Sequence, residues 1–430
     1  MRRIYFLTVY LLAPLYCAAL LWRGTRERGY LAAFGERFGL GPRLAGESIW
    51  IHAASAGEVQ AAAPLVRALC RRSAGRTVVV TTVTPAGKAR AHKLLEGERV
   101  SVRFLPLDLP GSVRGFLDRV RPRIALVVET ELWPSLFREC GRRGIPLVLA
   151  SARLSERSMR RYRALRSLFA DALANCTLLA TQTEADARRF EALGAPAERT
   201  RVIGNLKFDL ELPAELERTA QSLRRQLAPT RAVWVAGSTH DGEEGAALDA
   251  HARIRLAHPD ALLVLAPRHP PRFDAVAALL ERRAVRFIRR SAAHPCAPDA
   301  EVLLLDSLGE LIEFYAAADV VFVGGSLAPV GGHNLLEPAA LGKPILTGPH
   351  VFDNAEIAGL LRARGALETV RDAQELARAV STLLAHPQLR AQRGTAARAV
   401  ATENRGTLAR LLALLEPRLE EPLPPAAAAR

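Results

Sequence analysis

Residues 49–59 read IWIHAASAGEV, and the fold of the chain can be worked out from this stretch. The apolar run 49–53 is followed by a loop of small residues that contains a glycine, after which Val59 begins a helical pattern. A short apolar run that passes through such a loop into a helix is typical of the βα step of a parallel sheet. The stretch therefore predicts a buried strand, a loop at its carboxyl end and a helix that returns over the sheet.

The same step recurs along the chain. Each apolar run is followed by ten to twenty residues of helical character, which predicts a doubly wound α/β fold with helices on both faces of each sheet. After a polar, proline-containing connection at 204–230 the pattern starts again, so we predict two similar Rossmann-like domains. Ligands are expected at the carboxyl ends of the strands, in a cleft between the domains. The other predicted strands are 77–83, 101–105, 124–128, 146–150 and 177–181, then 232–236, 261–266, 302–305, 319–323 and 344–347.

The composition fits two folded domains. A chain of 430 residues is too long for one ordinary core, and 49% hydrophobic with 24% charged residues is usual for a globular protein. The five cysteines are scattered without a CxxC pair, which favours a reduced compartment and neither a disulfide framework nor a zinc site. The predicted divisions are a membrane anchor at 1–22, a first domain at 23–205, a second domain at 206–420 and a disordered tail at 421–430.

The formal net charge of +15 admits a nucleic acid, anionic lipid or an acidic substrate as a partner. Arginine supplies nearly all of the positive charge, as the mutational bias of a GC-rich genome would produce. The arginines are also spread along the chain and do not form a basic tail, so we expect no nucleic-acid partner. The only lysines are Lys88, Lys93, Lys207 and Lys343.

The N-terminal segment 4–22 contains no charged residue, and at 19 residues it is just long enough to span a bilayer. It lacks the short apolar core and the small-residue cleavage site of a signal peptide, so we predict an uncleaved anchor. A helix that lies on the membrane surface is the alternative, which Pro14 and the modest length leave open. The arginines after Trp22 favour a cytoplasmic location for the rest of the chain.

Glu58 ends the loop that follows the first predicted strand. A small, glycine-containing loop lets a substrate approach the backbone, so Glu58 is a candidate general base. The same position is the first turn of a helix, where a carboxylate stabilises the helix dipole without taking part in chemistry. Glu129 and Glu131, in the ETELWP sequence after strand 124–128, are the rival pair for acid–base catalysis.

A glycine-rich loop in the second half is a candidate phosphate site. Residues 325–338 read GSLAPVGGHNLLEP directly after a predicted strand. Gly331 and Gly332 precede a helix predicted to begin near Asn334, whose free N–H groups would bind a phosphate. Glu337 would accept hydrogen bonds from ribose hydroxyls; alternatively, it is the N3 partner of a capping box that Asn334 begins.

Two further loops follow strands of the second half. Arg268 and His269, after strand 261–266, would bind the phosphate of a nucleotide through charge-assisted hydrogen bonds. The backbone of Gly309, in the sequence Leu308-Gly309-Glu310, would contact the base. An isolated Arg-His pair is more often a solvated turn, so these residues acquire meaning only together with the other loops.

Taken together, these residues resemble the 3-deoxy-D-manno-octulosonic acid (Kdo) transferase family, which has the GT-B fold of two Rossmann-like domains. The resemblance extends over nearly the whole chain and fails only at the tail. It is carried by GERFG at 35–39, HAASAGE at 52–58, LPLDLP at 105–110, ETELWP at 129–134, SARLSER at 151–157, GNLKFD at 204–209, GSTHDGEE at 237–244, APRHP at 266–270, GGSLAPVGGHNLLEP at 324–338 and TGPH at 347–350.

The resemblance implies an inverting transferase at the cytoplasmic side of the bacterial inner membrane. It would move Kdo from CMP-Kdo to a lipid A precursor and use no metal ion and no cofactor. The first domain would bind the acceptor and the second domain CMP-Kdo. The catalytic base falls on Glu58, and we add Ser55, Gly57, Arg153 and Arg157 as candidate acceptor contacts. The contacts to CMP fall on Arg268, His269, Leu308, Gly309, Glu310, Asn334, Leu335, Leu336 and Glu337.

Two other functions are open to this sequence. The first is a UDP-sugar-dependent GT-B glycosyltransferase of lipid A assembly, against which the loops at 52–58 and 129–134 argue. The second is a non-catalytic membrane-surface protein that binds anionic lipid through its arginines. That role does not account for the combination of a phosphate-binding loop and a loop carboxylate.

Overall fold

The computed structural model describes residues 2–73, 75–292 and 299–420. The chain divides into two compact units, of which the first joins the segment up to Asp209 with the segment from Arg405, and the second is Leu210–Asn404. Each unit contains a parallel sheet of seven strands, which confirms the predicted α/β class. The predicted disordered tail, 421–430, lies outside the described residues.

The first unit is built on a sheet whose strands are all parallel. The interior strand β1 is fully buried, and successive residues point to opposite faces: Ile49 and Ile51 pack in one core and Trp50 in the other. The strands are β1 Ser48–His52, β2 Thr77–Thr82, β3 Val100–Phe104, β4 Pro122–Val128, β5 Leu147–Ala152, β6 Leu178–Thr181 and β7 Thr200–Val202, in the order β3-β2-β1-β4-β5-β6-β7.

The helices of the first unit cover both faces of this sheet, as the predicted βα repeat requires. They are α1 Arg2–Arg26, α2 Ala56–Arg72, α3 Pro85–Leu94, α4 Pro110–Val120, α5 Pro134–Arg142, α6 Glu156–Arg163, α7 Arg166–Leu173 and α8 Glu184–Leu193. Four of them, α2, α3, α6 and α8, begin after a Ser or Thr whose hydroxyl accepts a hydrogen bond from the first turn.

The second unit repeats the same architecture. Its strands are β8 Val233–Thr239, β9 Leu262–Pro267, β10 Phe287–Arg289, β11 Val302–Leu304, β12 Val320–Val323, β13 Ile345–Thr347 and β14 Leu367–Thr369, in the parallel order β10-β11-β9-β8-β12-β13-β14. Its helices are α9 Leu216–Leu227, α10 Glu243–Ala257, α11 Phe273–Arg282, α12 Leu311–Ala317, α13 Leu336–Ala340, α14 Ala355–Ala363, α15 Ala373–Ala385 and α16 Pro387–Glu403.

The last helix, α17 Thr407–Glu420, corrects the predicted extent of the second domain, which was 206–420. Leu411 and Leu415 of this helix are fully buried in the core that contains β1. Asp209 accepts hydrogen bonds from the N–H groups of Gly406 and Leu408, at 2.7 and 2.6 Å, and so fixes the start of the helix. An amphipathic pattern shows that a helix buries one face, but it does not show which of two cores receives that face.

The eleven predicted strands are all present, with ends that shift by at most three residues. Three strands were missed: β7, β10 and β14. Each is a three-residue strand at an edge of its sheet and is only partly buried, so it lacks the apolar run by which the equally short but fully buried β11 and β13 were detected. The predicted connection at 204–230 also contains the helix α9.

Helix α1 includes the segment predicted as an anchor. By length and composition Ile4–Arg26 could cross a membrane, with a mean hydropathy of 2.0. The helix continues to Arg26, four residues beyond the predicted end of the anchor at residue 22. Most of its large apolar side chains are exposed, among them Ile4, Leu7, Leu11, Leu15 and Trp22.

Candidate active site

Glu58 lies in the first turn of α2, directly after the loop that leaves β1. Ser55 is the N-cap residue, and its Oγ accepts a hydrogen bond from the N–H of Glu58 at 3.3 Å. In return, the Glu58 carboxylate accepts from the Ser55 hydroxyl at 3.2 Å and from the N–H of Ala54 at 2.7 Å. This reciprocal arrangement resembles a capping box, except that the carboxylate accepts from the residue before the N-cap. The carboxylate lies in the first helical turn, where the structural role considered for Glu58 requires it. The arrangement also holds the carboxylate at one fixed place beside the loop.

The environment of Glu58 makes its carboxyl group a suitable proton acceptor near neutral pH. Burial, reinforced by the negative charges of Glu129 and Glu131, raises the pKa of Glu58 to about 8. Burial also raises the pKa of Glu131. Because β1 and β4 are neighbours in the sheet, the loops that follow them meet at the same edge. The predicted base and the rival pair therefore belong to one cluster of carboxylates.

A lysine completes this cluster. The Nζ of Lys207 lies 2.8 Å from Oε1 of Glu129. The backbone of Glu129 has a φ of 60°, and Ser151, at the end of β5, has a φ of 53°. Non-glycine residues in this left-handed region are strained and are found preferentially at functional sites. The sequence pattern does not single out Lys207, because it follows β7, one of the three-residue strands that were missed.

The four candidate acceptor contacts occupy different positions in the first unit. Ser55 is the N-cap of α2, and Gly57 lies with Glu58 in the first turn of that helix. Arg153 follows β5, the strand next to β4, and its carbonyl accepts a hydrogen bond from the hydroxyl of Thr130. Arg157 is exposed on α6, a helix without a buried residue. The structure thus brings Ser55 and Gly57 beside Glu58. It places Arg153 on the loop after β5 and Arg157 on the helix α6 that follows this loop.

In the second unit, the glycine-rich loop is organised around Glu243, the first residue of α10. This carboxylate is only 1% exposed, and backbone N–H groups of the loop converge on it. A buried charge that accepts so many hydrogen bonds is well compensated and fixes the loop in one conformation. The donors are the N–H groups of His240 at 2.9 Å, Gly325 at 2.7 Å, Ser326 at 2.9 Å, Leu327 at 2.8 Å and Ala328 at 3.3 Å.

The N–H groups of Gly331 and Gly332, which lie just before the predicted helix, are not free. Both N–H groups donate to the carbonyl of Gly325, at 3.1 and 2.7 Å. Their φ angles of 119° and 78° explain why glycine occupies both positions. The following helix, α13, begins at Leu336 and is only five residues long. The two glycines therefore close the loop on itself and do not present their N–H groups to a phosphate.

Asn334 and Glu337 interact through their side chains, but the N-cap residue is Leu335, whereas the predicted capping box required Asn334 at that position. The side-chain oxygen of Asn334 accepts from the N–H of Leu336 at 2.9 Å, and its Nδ2 donates to Oε1 of Glu337 at 3.1 Å. The residue at the N-cap position is Leu335, so Asn334 holds the first turn from one position earlier. The side chains of Leu335 and Leu336 are buried, which leaves only their backbone for contact with a nucleotide.

Arg268 and His269 belong to a cluster with two further histidines that the sequence did not single out, His240 and His333. Nε2 of His240 lies 2.8 Å from Nε2 of His333, and the two rings stack at 5.0 Å. The ring of His269 meets that of His240 edge-on at 5.2 Å. One imidazole must therefore donate to the other, so at least one of the pair is neutral.

The charge of Arg268 reaches all three imidazoles. Burial first, and then Arg268, lowers the pKa of His333 to about 3 and also lowers the pKa of His269. Burial lowers the pKa of His240 as well, and Arg268 contributes to this. Neutral imidazoles beside a guanidinium can donate hydrogen bonds to an anion while the arginine supplies the charge. Both missed histidines lie in loops that leave strands, which is the signal that could have identified them.

The third predicted loop, Leu308–Glu310, offers its backbone. Gly309 has a φ of 103°, and the side chain of Leu308 is exposed. The carboxylate of Glu310 is engaged by the Arg290 guanidinium at 2.7 Å and by the hydroxyl of Ser307, and Arg290 lowers the pKa of Glu310. A nucleotide that binds here would contact the backbone, since the Glu310 side chain already has its partners.

Sheet order explains why these separate sequence segments share one edge. The strands β11, β9, β8 and β12 are consecutive neighbours in the second sheet. The loops that follow β11, β9 and β8 carry Gly309, Arg268 and His240, and the loop that follows β12 leads into α13, which carries Glu337. Within the described ranges 2–73, 75–292 and 299–420, no group of three or more His, Cys, Asp or Glu side chains is arranged to hold a metal ion.

Comparisons with known proteins place this chain in a family. Residues 32–210 match the family model described as 3-Deoxy-D-manno-octulosonic-acid transferase (kdotransferase), and residues 246–400 match that of glycosyl transferases group 1. The chain is 43% identical to the 3-deoxy-D-manno-octulosonic acid transferase of Haemophilus influenzae over 87% of this chain and 88% of the relative. It is 38% identical to the Bordetella pertussis protein of the same name, over 96% and 99%.

Two solved structures of full-length proteins show the same fold. UDP-GlcNAc 2-epimerase from Neisseria meningitidis is 14% identical, with a TM-score of 0.58 over 86% of this chain and 100% of that chain. MurG from Acinetobacter baumannii is 12% identical, with a TM-score of 0.55 over the same shares. The C-terminal CMP-Kdo binding domain of WaaA from Acinetobacter baumannii is 34% identical over 44% of this chain and 98% of that domain, with a TM-score of 0.42.

The predicted GT-B fold is thus confirmed by the two parallel sheets and by these structural neighbours. The predicted family is confirmed by the match at 32–210 and by relatives of nearly full length. On this evidence the chain belongs to the 3-deoxy-D-manno-octulosonic acid transferase family and is a glycosyltransferase.

Proposed function

We propose that this chain transfers Kdo from CMP-Kdo to a lipid A precursor, lipid IV-A, in lipopolysaccharide biosynthesis, with inversion at the anomeric carbon and with Glu58 as the general base. The observation that carries the proposal is the Glu58 carboxylate itself. It is half-buried, it is held in place by Ala54 and Ser55, and its pKa is raised to about 8 beside two other carboxylates. A group with these properties is suited to remove a proton from an alcohol near neutral pH.

In the proposed reaction, Glu58 accepts the proton of a primary hydroxyl of the acceptor while the hydroxyl oxygen bonds to the anomeric carbon of Kdo. The bond from that carbon to the CMP phosphate breaks, and CMP leaves with the electron pair. The transition state resembles the oxocarbenium ion of glycoside chemistry. Arg268 and the neutral imidazoles of His240, His269 and His333 would stabilise the charge that grows on the phosphate.

The remaining contacts to CMP are assigned by the chemistry of each loop. Glu337 would accept hydrogen bonds from the ribose, and the backbone around Gly309 would contact the base. Because the N–H groups of Gly331 and Gly332 are bonded to Gly325, the phosphate is assigned to the Arg268 cluster and not to these glycines. In the first unit, Lys207 joins the predicted acceptor contacts as a cation beside Glu129.

We further propose that α1 attaches the chain to the cytoplasmic side of the bacterial inner membrane and that the reaction needs neither a metal ion nor a cofactor. The exposed apolar side chains of α1 and the arginines after residue 22 support the attachment. Flotation of the full-length protein with phospholipid vesicles tests the attachment, and transfer in the presence of EDTA tests the metal independence. Failure to float, or loss of transfer with EDTA, contradicts the corresponding proposal.

Incubation of the full-length protein with CMP-Kdo and lipid IV-A, followed by mass spectrometry of the lipid, tests the proposed function. We expect the mass of the acceptor to rise by one or more Kdo units. Parallel reactions with UDP-sugars test the alternative donor. Transfer from a UDP-sugar but not from CMP-Kdo would refute the proposed donor, and an absence of transfer from any donor would favour the non-catalytic alternative.

The donor site is tested by truncating its two assigned side chains. Arg268→Ala and Glu337→Ala should each weaken CMP binding by about 1 to 3 kcal/mol, because each removes hydrogen bonds to a charged or buried partner. Isothermal titration calorimetry measures the change. Arg282→Ala, an exposed arginine at the end of α11, is the matched control and should leave the affinity unchanged. Parental affinity in both site variants would remove these residues from the nucleotide site.

The raised pKa of Glu58 predicts the pH dependence of transfer. Only the deprotonated carboxylate accepts a proton, so kcat/KM should increase as the pH rises through about 8 and level off above it. Well below this pH, the rate should fall about tenfold per pH unit, in proportion to the deprotonated fraction. Initial rates between about pH 6 and about pH 9.5, a range that brackets this pKa, measure the profile. A profile that is flat across this range would contradict the assignment of Glu58 as the base.

A further inference from the structure

The N-terminal helix contacts the first unit through the hydroxyl of Tyr5, which donates a hydrogen bond of 2.7 Å to Oδ2 of Asp108. The two residues are 103 positions apart in the sequence. The side chain of Phe6 makes a second contact, since its ring lies 5.8 Å from the guanidinium carbon of Arg138 on α5. Two consecutive side chains thus attach α1 to the same region of the unit.

Asp108 is itself a fixed point, because it holds the first turn of α5. Its Oδ2 accepts from the N–H of Ser135 and its Oδ1 from the N–H of Leu136, both at 2.9 Å. The hydroxyl of Ser135 donates to the carbonyl of Asp108 at 2.6 Å. A carboxylate at this place satisfies two of the N–H groups that a helix leaves unpaired and favours its positive dipole end.

Tyr5 helps to keep this carboxylate ionised. Asp108 is 5% exposed, and burial raises its pKa to about 6. Hydrogen bonds from the Ser135 N–H and from Tyr5 oppose that effect. Removal of the Tyr5 hydroxyl would therefore leave a buried charge with one partner fewer and weaken its hold on the helix.

The helix that Asp108 holds begins directly after the loop of the carboxylate cluster. Glu129 and Glu131 lie in this loop between β4 and α5, and their charges act on Glu58. One end of the loop is fixed by β4, and the other end is fixed by the first turn of α5. A shift of that turn would change the distance from both carboxylates to Glu58.

We propose that Tyr5 is a positioning residue for transfer. Through Asp108 it fixes the first turn of α5 and the loop 129–133. The positions of Glu129 and Glu131 relative to Glu58 therefore depend on the contact between the N-terminal helix and the first unit. This inference rests on the proposed function. It gives α1 a second role besides attachment to a membrane.

The test compares two conservative substitutions in the full-length protein. Tyr5→Phe removes only the hydroxyl, and Tyr10→Phe removes an exposed hydroxyl from the same helix as the matched control. Tyr5→Phe should lower kcat about fivefold, the order of effect of one hydrogen bond, with the KM for CMP-Kdo unchanged. Hydrogen–deuterium exchange of a peptide covering 134–140 should become faster in Tyr5→Phe and stay parental in Tyr10→Phe.

The two readouts separate this inference from the proposed function. If the parent protein transfers no Kdo, the proposed function fails. Faster hydrogen–deuterium exchange of the 134–140 peptide in Tyr5→Phe would still support the conclusion that Tyr5 stabilises the first turn of α5. Parental kcat in Tyr5→Phe overturns the positioning role, with or without a change in exchange. An equal loss of kcat in Tyr10→Phe would overturn it as well, since the effect would then belong to the helix surface in general.

Discussion

Replacement of Glu58 by glutamine is expected to lower Kdo transfer by at least about a hundredfold while fold and CMP affinity stay near those of the parent protein. The amide keeps the shape of the side chain and can still accept the hydrogen bond from Ala54, but it cannot take up a proton. Transfer rates at saturating CMP-Kdo and acceptor, after a check that the variant unfolds cooperatively near the parental temperature, measure the effect.

The neighbouring carboxylates supply the controls for this experiment. Glu129→Gln and Glu131→Gln should lower the rate of transfer by less than Glu58→Gln does. These side chains act on Glu58 through their charge, and Glu129 is paired with Lys207. Retention of more than about a tenth of parental turnover in Glu58→Gln, together with its loss in Glu129→Gln or Glu131→Gln, would place the base in the loop 129–134.

Glu243→Gln is expected to destabilise the second unit by about 3 kcal/mol, the order of effect of a broken buried charge interaction. One carboxylate oxygen accepts from Ser326 and Leu327 and the other from His240 and Gly325. In glutamine, an NH2 group replaces one of these two oxygens. Its N–H groups would then point at the backbone N–H groups that the oxygen had accepted from, and no hydrogen bond could form there. The glycine-rich loop would lose its fixed conformation, so CMP affinity should fall as well.

Urea unfolding and calorimetric titration with CMP measure the two effects of Glu243→Gln. Glu281→Gln, an exposed glutamate on α11, is the matched control and should change stability by less than about 0.5 kcal/mol. If Glu243→Gln unfolds at the parental urea concentration, the carboxylate does not hold the loop in the way that its hydrogen bonds indicate.

The sheets were predictable because the spacing of apolar residues and the residue types of the loops are local properties of the sequence. All eleven predicted strands exist, since a short apolar run that ends in a loop of small residues is too short for a buried helix and fits a buried strand. The short, partly buried edge strands β7, β10 and β14 carry too weak an apolar pattern to be detected. The assignment of α17 to the first unit depends on a contact between distant parts of the chain, which no local pattern encodes.

The candidate site was predictable in its loops but not in its hydrogen bonds. Glu58 and Arg268 were found because each follows a strand at the edge where parallel sheets bind ligands. The closure of Gly331 on Gly325 and the convergence of backbone N–H groups on Glu243 depend on three-dimensional paths that the sequence does not specify. His240 and His333 gain significance only when their rings stack.

The return of α17 to the first unit makes the second unit an insertion in the chain of the first. Leu210–Asn404 interrupts a unit whose core is complete only when Leu411 and Leu415 are present. During synthesis, the first unit to emerge from the ribosome must therefore wait for the last helix, whereas the continuous second unit can fold as soon as it is released. Because Asp209 bonds to Gly406, a short linker from 209 to 405 should yield the first unit as a separate, soluble module once α1 is also removed.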